Sequence, residues 1–166
     1  MWKRALLALA LLVPVIAAGL ALHVATADGD TVFSWKRPDN LGVKDGRLAP
    51  PKTTPNCVSS QAAPSDAEHY IAPIPFKGGS AAAMAAARKA VEGMEGATVI
   101  RQEGAYLYAE FRTRVLRFVD DVELYHDDRM DVIHVRSASR LGRRDFGVNR
   151  ARVESLRARI EGRGKA

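Results

Sequence analysis

A chain of 166 residues has room for one domain with a single hydrophobic core, plus whatever flanks it. Lys and Arg number 25 against 19 Asp and Glu, a net charge of +6, but the bases are dispersed, which speaks for solubility and loose anion attraction rather than a specific partner. One cysteine excludes an internal disulfide, so the fold rests on its core alone.

In chain order, Lys3 and Arg4 precede an uncharged apolar run of 18 residues, Ala5 to Leu22, and small residues close the segment at Ala25, Thr26 and Ala27. This is the pattern of an export segment over residues 1–27, either a signal peptide cut after the small residues or a transmembrane anchor. The run exceeds a typical cleavable core and approaches the roughly 17 to 25 residues that span a bilayer, which favours the anchor. Positive charge stays inside, so the expected location is the cell membrane, single-pass, with the globular domain outside the cytoplasm. Cleavage would instead leave a secreted or periplasmic protein. Both locations remove nucleic acid from the expected partners.

Residues 28–65, with "DGD", "KRPDN", "KDG" and the prolines Pro50, Pro51 and Pro55, carry turn chemistry and are expected to form an extended linker and covering arm. Within them, Thr31 to Trp35 is a candidate short strand. From Asp66 to Phe76, Ile71, Ile74 and Phe76 are interleaved with Pro73 and Pro75, so this stretch is an edge strand or an extended strap. Ser80 to Met94 predicts a helix with Ser80 as N-cap, on which Met84, Ala87, Val91 and Met94 share the core face. Four runs of period two follow: "ATVIRQ", "AYLYAEFRT", "FVDDVELYH" and "DVIHVRSAS". They predict consecutive antiparallel strands, the first two joined at Glu103-Gly104 and the last two at Asp127-Asp128. A last amphipathic helix sets Val153, Leu156 and Ile160 on one stripe. The fold class is therefore α+β over residues 66–162: an antiparallel sheet of about four to five strands covered by two helices, after the N-terminal apolar export or anchor helix.

Two stretches carry candidate chemistry. In "SASRLGRRDFGVNR", the residues Ser137, Ser139, Arg140, Arg143, Arg144 and Asn149 lead into a helix start, an arrangement suited to an anionic group. The alternative is that Asp145 or Asn149 caps the helix while the arginines pair with acids on neighbouring strands. Strand alternation also places Asp120 with Phe118, Val122 and Leu124, so a buried Asp120 would need one of these arginines as partner. The second stretch surrounds Cys57. A nucleophilic cysteine needs a base, with His69, His126 and His134 as candidates, and Asn56, Ser59 and Ser60 are available as donors to an oxyanion. The simpler alternative is a packed thiol that seats the arm on the sheet. No histidine or cysteine pair has metal-ligand spacing, and neither a metal nor a cofactor is expected.

The stretches "LGVKDGRLAPPKTTPNCVSS", "FVDDVELY" and "VIHVRSASRLGRRDFGVNRARVESL" resemble the family catalogued as domain of unknown function 1499, found in bacteria and plant plastids, and the likeness covers roughly residues 40–162. The family is uncharacterised, so the resemblance implies no activity. It does imply a second cysteine near the position of Pro51, which this chain lacks, and that speaks against a role needing paired thiols. The expected function is non-enzymatic: a membrane-tethered or exported envelope domain that binds an anionic small molecule, a lipid-like ligand or an envelope protein. The alternative is a hydrolase or transferase using Cys57.

Overall fold

The computed structural model describes residues 36–163. The export or anchor segment and the candidate strand at Thr31 to Trp35 lie outside the described residues. Among those described, the chain forms six strands and two helices: β1 (Cys57–Ser59), β2 (Ile74–Pro75), α1 (Gly79–Glu92), β3 (Ala97–Glu103), β4 (Tyr106–Arg112), β5 (Val119–Asp127), β6 (Val132–Ser139) and α2 (Val148–Ile160). The sheet runs β1-β6-β5-β4-β3, with β2 also on β6, and every pair is antiparallel. The four period-two runs are the four long strands. Six strands replace the expected four to five because two short extended segments, one from the arm and one from the proline-bearing strap, both pair with the free edge of β6.

Alternation sorts the strands onto two faces. Leu107, Ala109, Phe111, Val122, Leu124, Ile133 and Val135 face the helices and meet Met84, Ala87 and Val91 of α1 and Val153 and Leu156 of α2. Small side chains on α1 (Ala83, Ala87, Ala90) bring its backbone close to the sheet. The predicted core face of that helix is observed, but Ser80 is not its cap. The helix begins at Gly79, and the Ser80 hydroxyl bridges Nδ1 of His126 at 3.1 Å and the Asp128 carboxylate at 3.0 Å, tying the helix start to β5 and the turn after it. On α2, Arg150 donates to the carbonyl of Tyr70 and Arg157 to those of Ala72 and Pro73, so this helix holds the strap in place through its polar side.

The opposite face carries the alternate residues and is covered by the arm. Lys44 and Arg47 exchange backbone hydrogen bonds of 2.9 and 3.0 Å around Asp45 and Gly46, both at positive φ, which makes the tight hairpin turn that an Asp-Gly pair favours. Arg37 lies against β4 near its Arg112 end, the turn lies at the opposite end near Tyr125 and Arg129, and the chain then returns to enter β1. The arm thus crosses the sheet twice, starting and finishing at one end. That end also holds the β4–β5 loop, residues 113–118, and the β6–α2 loop, residues 140–147. The far end holds the β3–β4 and β5–β6 turns.

Candidate functional site

Of the six polar residues singled out between positions 137 and 150, the fold draws four inward, into two separate networks. On the helix side, Ser137 donates to Oδ1 of Asn149 at 2.5 Å, and Asn149 Nδ2 donates to the Ser139 hydroxyl at 2.8 Å and to the Asn56 carbonyl at 3.0 Å. Arg152 joins this cluster at 2.6 Å from Asn149 and 2.6 Å from Asp120. Asp120 is buried on the helix side, as alternation requires, but its cation comes from α2 and not from the 137–150 loop. The loop points its arginine to the other face, whereas Arg152 projects from the helix lying over Asp120.

Arg140 enters the arm side of the sheet. Its guanidinium contacts Asp121 at 2.7 Å, Glu110 at 2.6 Å and the Tyr108 hydroxyl at 3.0 Å. Glu110 also accepts from Arg37 at 2.7 Å and Arg112 at 3.0 Å. Burial alone would raise its carboxyl, but the hydrogen bonds from Arg37 and Arg140 outweigh that and hold it down at about 2. Burial tends to lower the Arg140 guanidinium, yet Asp121 and Glu110 drive it above its ordinary value. Burial and then Asp121 push the Tyr108 hydroxyl up. Beside this cluster the fully buried Glu123 accepts from the Gly42 amide at 2.8 Å, the Tyr106 hydroxyl at 2.8 Å and Arg136 at 3.2 Å. These acids, arginines and tyrosines bond one another across the arm side of the sheet, although the buried Nε of Arg136 has no hydrogen-bond partner.

Cys57 lies on this same face, fully buried beneath the arm. Burial pushes its thiol up, which nearby Arg136 and Lys52 only partly offset. The three candidate bases are engaged elsewhere. His69 bonds Asp66 and the Thr54 carbonyl, His126 bonds Ser80 and the Phe76 carbonyl, and His134 bonds Ser60 and is lowered by burial. Asn56 Nδ2 donates to the carbonyls of Leu141 and Gly142, which ties the segment before Cys57 to the β6–α2 loop. A cavity of about 680 Å³ is lined by the arm's own residues between 39 and 51, together with Ser59 and Gln61. Among the described residues no cluster of three or more His, Cys, Asp or Glu has the geometry of a metal site.

The remaining two singled-out residues, Arg143 and Arg144, stay exposed. Asp145 occupies the start of α2, its carboxylate accepting from the backbone amides of Gly147 at 3.2 Å and Asn149 at 2.8 Å, so that helix end is already filled. Arg144 instead borders a cleft of about 530 Å³ between the two loops at this end of the sheet, with Phe118, Val119, Leu141, Phe146 and Val148 among its walls. Its size falls within the roughly 300 to 1,000 Å³ of small-ligand pockets, its two lining acids Asp120 and Asp145 are engaged by Arg152 and by the α2 amides, and the apolar walls with Arg144 match an amphiphile carrying a negative group. Two features went unread in the sequence. The tyrosines and acids of the arm side were visible in the alternation of "YLYAE" and "DDVE". The apolar pair Val115 and Leu116 between Arg114 and Arg117 was visible as an unusual loop composition.

The model of the family described as "Protein of unknown function (DUF1499)" matches residues 47–160. No curated protein and no solved structure matches the chain.

Proposed function

Because the chain belongs to the DUF1499 family, whose description names no activity, we propose from the site's own geometry that it is a non-enzymatic envelope domain that binds an anionic, lipid-like ligand. The observation that carries this reading is the apolar cleft between the β4–β5 and β6–α2 loops with Arg144 in its lining. The apolar run at Ala5 to Leu22 supports a domain tethered to the cell membrane and held outside the cytoplasm, where such a ligand is abundant. Hydrolase or transferase chemistry at Cys57 receives no comparable support, since the thiol is buried, pushed up, and bonded to no histidine.

The test is displacement of a fluorescent long-chain fatty acid from the full chain, held in a non-ionic detergent, by lysophosphatidylglycerol. Saturable one-to-one binding is expected, weakened about tenfold by Arg144→Glu and abolished by Leu141→Asp, which places a charge in the cleft wall. Binding indifferent to both substitutions contradicts the assignment.

A further inference from the structure

The loop end of the sheet exposes more than the cleft needs. Phe146 is 95% exposed, Val115 79%, Leu116 51% and Val148 48%, four apolar side chains on two neighbouring loops and the first residue of α2. Phe146 also holds φ at 54°, the left-handed region that costs a non-glycine residue energy, and Arg117 in the facing loop does the same at 56°. A bulky ring kept both strained and wet is a feature that folding does not reward. In the same loops Arg114, Arg143 and Arg144 are exposed and Arg117 is half-buried. The acids of this end are engaged: Glu95 lies 3.7 Å from Arg114, Asp145 holds the start of α2, and Asp120 pairs with Arg152. The opposite end carries Glu103, Asp127, Asp128 and Asp131. The loop end thus combines basic and apolar groups, while the opposite end carries acids together with Arg129 and Met130.

The path of the chain adds a second argument. Arg37 is fixed on Glu110, two residues from the end of β4, so the chain enters the described domain at the loop end. Thirteen residues separate Leu22, the last residue of the apolar run, from Lys36, a reach of at most about 45 Å. From these observations we infer that the loop end is a docking surface for an anionic bilayer, with Val115, Leu116 and Phe146 entering the acyl boundary and the four arginines meeting the headgroups. This rests on the membrane-bound reading above and deepens it: the cleft then opens toward the bilayer, so a lipid enters it without crossing water.

The experiment places an environment-sensitive nitrobenzoxadiazole label at Val115→Cys or, as a control at the far end, at Met130→Cys, which is also exposed. Labelling is confined to the new thiol because Cys57 is fully buried. The full chain is reconstituted into phosphatidylcholine vesicles with or without phosphatidylglycerol, and nitroxide-bearing acyl chains serve as quenchers. The expected result is a blue shift and quenching at position 115 and not at 130, dependent on phosphatidylglycerol, and reduced roughly tenfold or more by Arg143→Glu combined with Arg144→Glu. Phe146→Asp abolishes the signal. Equal signals at 115 and 130, or none at either while the chain resists an alkaline wash, overturn the docking surface and leave the tether standing. A chain removed by the wash that still shows the lipid-dependent signal at 115 overturns the tether and upholds the docking surface.

Discussion

Two arginines four residues apart, Arg140 and Arg144, have opposite roles. Arg140 is buried among Asp121, Glu110 and Tyr108, and removing it takes the cation from buried Asp121 while Glu110 keeps Arg37 and Arg112. Arg140→Ala is expected to lower stability by about 3 to 5 kcal/mol in urea unfolding. Arg144→Ala, at the exposed mouth of the cleft, should change stability by no more than about 0.5 kcal/mol while weakening the amphiphile. A mild effect at Arg140 in the same assay contradicts the assigned network. Cys57 offers a second residue-scale test. Its burial predicts negligible alkylation by iodoacetamide in the native chain and full reaction after unfolding, and rapid native modification near neutral pH contradicts a packed thiol. The sequence left both roles open for each residue. What separates them is the direction in which the 140–147 loop turns, and no local pattern encodes that.

Among the elements, the arm and α2 depend on polar contacts that join distant parts of the chain. Asn149 connects α2 to Ser137, Ser139 and the Asn56 carbonyl, and Asn149→Ala should cost about 2 to 3 kcal/mol, because several buried groups lose their partners together. Thermal unfolding checks this. The arm is held partly through Arg37 and Glu110. A carboxyl held at about 2 instead of its usual 4.5 is ionised more readily in the folded protein, so its stabilisation is complete above about pH 4.5 and is lost as pH falls toward 2. The full effect is on the order of 3 kcal/mol, and Glu110→Gln should flatten the acid limb of the stability profile over that range. An unchanged acid limb contradicts the ion pairing. The four long strands, both helices and the strap were legible because period two and period three-to-four patterns report one buried face, whereas β1 lies in the arm and carries no such pattern. The second buried face was not, since the arm covers it through contacts such as Gly42 to Glu123, 81 residues apart. Ser80 shows the same limit at a helix start: its hydroxyl serves His126 and Asp128, partners that only the folded sheet brings near.

For the whole molecule, one helix-covered face and one arm-covered face leave the ends of the sheet to meet partners. The arm side is a closed set of paired charges, while the loop end combines a cleft, exposed apolar side chains and arginines. The proposed binding function belongs to the loop end and not to the region beneath the arm. The most direct measurement is hydrogen exchange of the full chain in detergent with and without saturating lysophosphatidylglycerol. New protection is expected in residues 113–119 and 140–148, with no change over residues 39–51. Protection confined to the arm and β1, with the two loops unaffected, would contradict this assignment and move the binding site to the cavity lined by the arm.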